Sequence, residues 1–203
     1  MDSAALITAF VTLFVIIDPI GLTPLFVALT HDMDRTQMRS IAIRACVIAF
    51  AILALFAFFG EAVLGFVGIS MPAFRIAGGI LLFLTALDML FERRTKRRED
   101  QADERPDPSV FPLAIPLIAG PGSIATVILL AGQYPGLDAT FLVLAVALAV
   151  LLVVLGLFLT SGILAKALGK TGVTVATRLL GMLLAALAVQ FVLEGLRDFG
   201  FVS

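Results

Sequence analysis

The sequence predicts an all-α polytopic membrane protein with six transmembrane helices, and its composition and its apolar runs carry that prediction. Hydrophobic residues make up 61% of the 203 residues and charged residues 14%, and the mean hydropathy is +1.11. Such a composition excludes a soluble globular protein. Six apolar runs have about the 20 residues that a transmembrane helix needs: residues 4–30, 41–60, 73–91, 110–133, 139–161 and 174–194.

The positive charges predict how these spans are oriented. Eleven of the 14 Lys and Arg residues lie in the first, third and fifth connections, the other connections carry none, and Arg197 alone follows the sixth span. Because Lys and Arg are enriched in cytoplasmic loops, we expect both termini to lie outside. The basic run at 93–98 is interleaved with acidic residues, which favours a solvated orientation signal over a site for nucleic acid or anionic lipid.

The chain also contains a weak internal repeat. Three pairs of residues recur about a hundred positions apart: Arg75 with Arg178, Gly78 with Gly181, and Pro19 with Pro121. They predict two copies of a three-span unit, at residues 1–95 and 108–203, joined by a cytoplasmic polar linker at 96–107. Since each unit has an odd number of spans, the second copy enters the membrane upside down, which is the inverted-repeat design of many secondary transporters.

Spans one and four are each predicted to be broken near mid-membrane. The cluster from Asp18 to Pro24 contains two prolines, a glycine and an ionisable side chain, and the cluster from Ala119 to Ser123 contains a proline between two glycines. Such breaks remove backbone hydrogen bonds at a depth without water, so they persist where they line a cavity. The alternative is a packing kink, which is the interpretation for Pro112 and Pro116.

The chemistry at the two breaks favours a zwitterion. Thr23 with Pro24, and Ser123, are expected to cap the helices that restart there. The N–H groups of those helix ends attract a carboxylate, while the carbonyls of the preceding half-helices and Asp18 attract an ammonium group. Because the walls are aliphatic, the expected ligand is a small neutral amino acid. The candidate binding residues are Asp18, Pro19, Ile20, Gly21, Thr23, Gly120, Pro121, Gly122, Ser123 and Thr126.

Three further ionisable residues within the spans, Arg75, Arg178 and Asp88, are candidates for gating or for a counter-charge to the substrate carboxylate. The alternatives are arginines that extend to the interface and an interfacial carboxylate. His31 and Cys46 are the only histidine and cysteine, so we expect no metal site, no cofactor and no enzymatic activity. The enzyme alternative is an intramembrane hydrolase that uses Asp18 and Asp88 as a carboxylate dyad.

Three segments closely resemble the MarC family of bacterial and archaeal inner-membrane proteins: Asp18 to Phe26, Gly60 to Ile80, and Phe111 to Thr126. The resemblance covers nearly the whole chain. It implies six spans of the lysine-exporter-like superfamily in the cytoplasmic membrane, outward termini, and transport of glycine- or alanine-sized amino acids, as in the transporters called SnatA. It also implies that Asn can stand in place of Asp18, so that a side-chain oxygen acceptor suffices there.

Together these features predict a secondary transporter, an exporter or exchanger, that exposes a mid-membrane site alternately as one bundle rocks against the other. The expected partners are small neutral amino acids, the lipid bilayer and a coupling proton or sodium ion, with a homo-oligomer as a further candidate and no nucleic acid. Two alternatives stay open. A non-transporting membrane scaffold or regulator would have both breaks packed shut, and a channel would have a continuous water-filled path.

Overall fold

A computed structural model describes residues 3–91, 107–133 and 136–201, apart from the side chains of 162–168 and 170, and over these ranges the chain forms helices and no strands. The all-α prediction is therefore confirmed. The basic run at 93–98 and all but the last residue of the predicted linker at 96–107 lie outside the described residues. The helical elements are α1 (Ser3–Ile17), α2 (Pro19–Leu29), α3 (Arg35–Val67), α4 (Met71–Leu90), α5 (Ser109–Ile118), α6 (Pro121–Gln133), α7 (Leu137–Leu159) and α8 (Ser161–Asp198).

Five helical stretches are long and apolar enough to cross a membrane, and a sixth crossing results when α5 and α6 count as one span. The first stretch, Ser3–Leu29, joins α1 and α2, and the last is Thr171–Asp198. Helices α5 and α6 meet at 55°. These spans confirm the polytopic membrane fold. The second span is longer than the predicted run at 41–60, because α3 has 33 residues.

Local sequence explains where α3 and α4 begin and end. The Asp34 carboxylate accepts from the Gln37 N–H at 2.8 Å, and the Gln37 side chain accepts from the Asp34 N–H at 3.0 Å. This capping box supplies partners to N–H groups that the first turn of α3 cannot pair internally. Gly68 ends α3 at φ 81°, a conformation that favours glycine. Ser70 caps α4, which has Pro72 in its first turn.

The buried apolar side chains form two clusters that divide the molecule into two packing units. The larger cluster joins α1, α2, α3, α5, α6 and α7, which we call the main unit. The smaller cluster joins α4 and α8, which we call the α4–α8 pair, and it includes Val15 and Ile16 of α1 and Leu129 of α6. Each unit therefore contains helices from both predicted repeats, and the two units meet where α4 and α8 pack against α1, α2 and α6.

Glycines bring the backbones of α4 and α8 into close contact. A methyl group added at Gly79 would lie 2.8 Å from the carbonyl oxygen of Ala188, and one at Gly195 would lie 3.0 Å from that of Pro72. Since residues near the start of α4 contact the end of α8, the two helices are antiparallel. An inverted repeat requires this direction, because α4 and the last span occupy equivalent places in the two units.

Candidate functional site

The first break is a single residue between α1 and α2. Asp18 has φ 56° and ψ 63°, and its N–H donates to the Phe14 carbonyl at 2.9 Å. The Leu22 N–H donates to the Asp18 carbonyl at 3.0 Å, so the backbone hydrogen bonds resume immediately. The predicted cap at Thr23 is wrong. Thr23 lies inside α2, and its hydroxyl donates to the Pro19 carbonyl at 2.8 Å, which satisfies it one turn back.

Asp18 itself caps α2. Its carboxylate accepts from the Gly21 N–H at 3.0 Å, and the side chain is fully buried. Pro19 occupies the first helical position, where a missing N–H costs nothing. A side chain at Gly21 would collide with the capping carboxylate, so glycine is required there. Asn and Asp cap helices about equally well, so this role does not depend on charge.

The second break is longer than the cluster at 119–123. Phe111 and Ile115 have extended backbone conformations, and each precedes a proline joined by a cis peptide bond. Pro112 and Pro116, which were predicted to be packing kinks, each follow one of these two residues, so the helical path of α5 is interrupted before both prolines. The physical cause is local. Each proline removes an N–H donor, and its ring disfavours a helical conformation in the residue before it.

Ser123 completes the second break from inside α6. Its hydroxyl accepts from the Gly120 N–H at 3.1 Å and donates to the Ile118 carbonyl at 2.6 Å. Helix α6 begins at Pro121, so Ser123 stands at the third helical position, and the prediction that it precedes the helix is wrong. A side chain at Gly120 would collide with the Pro116 carbonyl oxygen, which explains the glycine.

The two breaks use complementary halves of one capping box. At the first, the residue before the helix, Asp18, accepts from the backbone of the third helical residue, Gly21. At the second, the third helical residue, Ser123, accepts from the backbone of the residue before the helix, Gly120. A complete box has both bonds at the same end. The positions are equivalent in the predicted repeat, so each copy retains one bond.

The structure brings the two breaks together where the two packing units meet. A methyl group added at Gly122 would lie 3.2 Å from Cγ2 of Ile16 and 3.4 Å from Cδ2 of Leu82. Ile16 precedes Asp18 by two residues and belongs, with Leu82, to the smaller cluster. The surrounding side chains enclose this junction, since Asp18 and Thr126 are 0% exposed and Ser123 is 2% exposed.

Thr126 is the polar group at this junction whose hydroxyl makes no hydrogen bond with the described residues. Other buried threonines donate to a carbonyl one turn back, as Thr12 and Thr30 do at 2.7 Å. Thr126 stands one turn after Gly122 on the same face of α6, and side chains in a helix lean toward its N-terminus. Its hydroxyl is therefore directed toward the break, where it is buried and makes no hydrogen bond with a described residue.

Arg75 lies apart from the breaks, seven residues before Leu82 on α4, or about 10 Å of helix rise. The residue is 9% exposed, and its guanidinium donates to the Asp198 carboxylate. Sequence reasoning missed Asp198, although an antiparallel α4 and α8 place the end of the last span opposite Arg75. Arg178 is exposed, and half-buried Asp88 lies about 9 Å beyond Leu82 in the other direction. Their roles in gating stay predictions.

Comparison with known proteins gives a consistent result. A family model described as "MarC family integral membrane protein" matches residues 3–199. A "UPF0056 membrane protein" of Methanocaldococcus jannaschii is 39% identical over 97% of this chain and 98% of its own length. The "UPF0056 inner membrane protein YhgN" of Escherichia coli K12 is 37% identical over 95% of this chain and 96% of its own length. The "UPF0056 membrane protein YvbG" of Bacillus subtilis is 35% identical over 95% of this chain and 94% of its own length. No solved structure matches the chain.

Proposed function

Because the chain belongs to the MarC family of integral membrane proteins, we propose that it is a secondary transporter, an exporter or exchanger, of small neutral amino acids such as glycine and alanine. The family membership supports a multi-pass membrane protein and specifies no substrate. The substrate class rests on the junction of the two breaks. The observation that carries it is the buried Thr126 hydroxyl, which lacks a partner among the described residues one turn from Gly122.

The junction offers groups suited to a carboxylate. Helix α6 starts inside the protein, and its first-turn N–H groups, at Gly122 and Ser123, have no acceptor within the helix. Together with the positive end of the helix dipole they favour an anionic group in a low-dielectric interior. The Thr126 hydroxyl adds one donor and acceptor on the same face. Ile16 and Leu82 stand within 3.4 Å of a carbon added at Gly122, which favours a substrate with a very small side chain.

The two packing units supply a route for alternating access. The main unit and the α4–α8 pair meet at Ile16, Leu82 and Gly122, so a small rotation of one unit against the other opens that contact toward one membrane face or the other. Arg75 and Asp198 lie within the α4–α8 pair, so their ion pair holds that unit together. We propose a proton or a sodium ion as the coupling ion, with both termini outside.

The test is uptake of radiolabelled glycine and alanine into proteoliposomes, with Thr126→Val as the diagnostic variant. Removing a buried hydroxyl without a partner leaves stability unchanged or raises it. We expect saturable uptake by the wild type. In Thr126→Val the apparent affinity should be about three- to tenfold weaker, which corresponds to the loss of one net hydrogen bond. Thr177→Val is the matched control, because the Thr177 hydroxyl is also buried and unbonded among the described residues but stands beside Arg178, away from the breaks.

Two results would overturn the proposal. Absence of saturable uptake in a folded wild type would favour the scaffold alternative, which the close contact of Ile16 and Leu82 with Gly122 also favours. Uptake that rises linearly with substrate concentration would favour a channel. Equal affinities in Thr126→Val and Thr177→Val would leave transport intact but remove the ligand contact assigned to Thr126.

A further inference from the structure

A groove runs between α3 and α7 on the surface that faces the membrane. Its volume is about 170 Å³, and its lining is almost entirely apolar: Ile43, Cys46, Val47, Phe50, Leu148, Leu151, Leu152 and Leu155. Cys46 and Leu151 are buried and form its floor, while Val47 and Leu152 are 61% and 58% exposed and form its rims. A site of this shape is open to hydrocarbon chains from the bilayer.

Two arginines extend the lining of the groove toward the membrane surface. Arg35 and Arg39 precede Ile43 at four-residue intervals, so all three lie on one face of α3. Both arginines are exposed, and neither forms an ion pair with a described residue. Arg44 differs, because it lies on another face and pairs with Asp107 at 2.8 Å. The groove therefore ends beside two cationic side chains that form no ion pair with the part of the chain that the structure describes.

We propose that this groove is a binding site for an anionic phospholipid, with an acyl chain between α3 and α7 and the phosphate at Arg39 and Arg35. A guanidinium binds phosphate oxygens in a bidentate fashion, and basic residues at a membrane surface attract anionic headgroups. The length of the groove along α3 fits within the hydrocarbon depth of one leaflet. The groove runs from Ile43 to Phe50 along α3, about 10 Å of helix rise, against about 15 Å for half of the hydrocarbon core.

The same dimensions argue against a second copy of the chain as the occupant. A helix that packs along α3 and α7 would contact them over most of the bilayer thickness of about 30 Å, and it would not require positive charge at one end. A single lipid explains both the short apolar groove and the two exposed arginines at its end. The proposal does not depend on the transported substrate.

The experiment is native mass spectrometry of the purified full-length protein after addition of phosphatidylglycerol or phosphatidylcholine with the same acyl chains. We expect the wild type to retain phosphatidylglycerol in preference to phosphatidylcholine. Arg39→Gln should weaken that binding about fivefold, the weight of one basic residue at an anionic surface. Arg44→Gln is the charge-matched control and should leave it unchanged, because Arg44 points away from the groove.

A second pair of variants tests the groove separately from the charge. Val47→Trp fills the groove from its rim, while Leu55→Trp places the same side chain on α3 outside it, and Leu55 is 56% exposed. We expect Val47→Trp to lose the bound lipid and Leu55→Trp to keep it. Equal retention of the two lipids, equal effects of Arg39→Gln and Arg44→Gln, or lipid-free dimers that Val47→Trp dissociates would each overturn the proposal.

Discussion

Gly79→Ala tests whether α4 and α8 form one rigid pair. The added methyl carbon would lie 2.8 Å from the Ala188 carbonyl oxygen, 3.1 Å from the Val192 nitrogen and 2.7 Å from Cγ2 of Val192. Real carbon atoms essentially never approach other atoms so closely. The Val192 side chain can rotate, but the two backbone atoms belong to a regular helix. They move only if α8 as a whole moves away from α4.

The expected magnitude follows from two opposing effects. Overpacking a well-packed interior costs about 1–3 kcal/mol. Replacing glycine by alanine inside a helix returns about 0.5–1 kcal/mol, because alanine loses less backbone entropy on folding. The net expectation is a loss of about 1–2 kcal/mol in the free energy of unfolding. It would appear as a lower midpoint in thermal unfolding followed by circular dichroism in detergent.

Gly156→Ala is the matched control. Gly156 lies in the last turn of α7, and a methyl group added there meets no atom within 4 Å. Only the higher helix propensity of alanine then matters, so this variant should unfold at the wild-type midpoint or above it, with a gain of up to about 1 kcal/mol in the free energy of unfolding. Equal midpoints for Gly79→Ala and Gly156→Ala would refute the backbone contact between α4 and α8.

Two further predictions concern charged groups outside the breaks. Asp198→Asn should lower the free energy of unfolding by about 1–3 kcal/mol more than Arg75→Gln does. The reason is that Asp198→Asn leaves a buried guanidinium without its charged partner, whereas the half-exposed carboxylate that Arg75→Gln leaves behind can rehydrate. Equal losses in chemical unfolding would contradict this. Hydrogen bonds from Ser109 first, and then the nearby Arg44 charge, hold the pKa of Asp107 below its usual 3.8, so its stabilising effect is present at neutral pH and is lost as pH falls through the lowered pKa. The difference in melting midpoint between wild type and Asp107→Asn should therefore shrink as the pH falls below the usual pKa of an aspartate, and a difference independent of pH would contradict the assignment.

The sequence predicted the membrane spans and the location of both breaks because those signals are local. Apolar length identifies a span, and a proline removes its hydrogen bond whatever its neighbours are. The capping residue of the first break was mispredicted because Asp18-Pro19 and Thr23-Pro24 carry the same cap-then-proline pattern. In the structure Asp18 accepts from the Gly21 N–H, whereas Thr23 lies inside α2 and donates to the Pro19 carbonyl.

Other features depend on contacts between distant parts of the chain. The pairing of Arg75 with Asp198, the two packing units and the closeness of Gly122 to Ile16 all require the mutual placement of helices, which periodicity does not encode. The irregular backbone of α5 could be predicted from the sequence only in part. Its prolines four residues apart are visible in the sequence, but the extended backbone at Phe111 and Ile115 is seen only in the folded chain.

The division of the capping box between the two breaks limits which substitutions each break accepts. Gly21 has no room for the serine that its counterpart uses, and Gly120 has no room for an aspartate, because each glycine abuts an oxygen of its own break. Neither break can gain the second bond of the box by a single substitution, because the residue that would supply it does not fit. Each break therefore depends on one side-chain hydrogen bond, and exchanging the capping residues between the two breaks would misfit both.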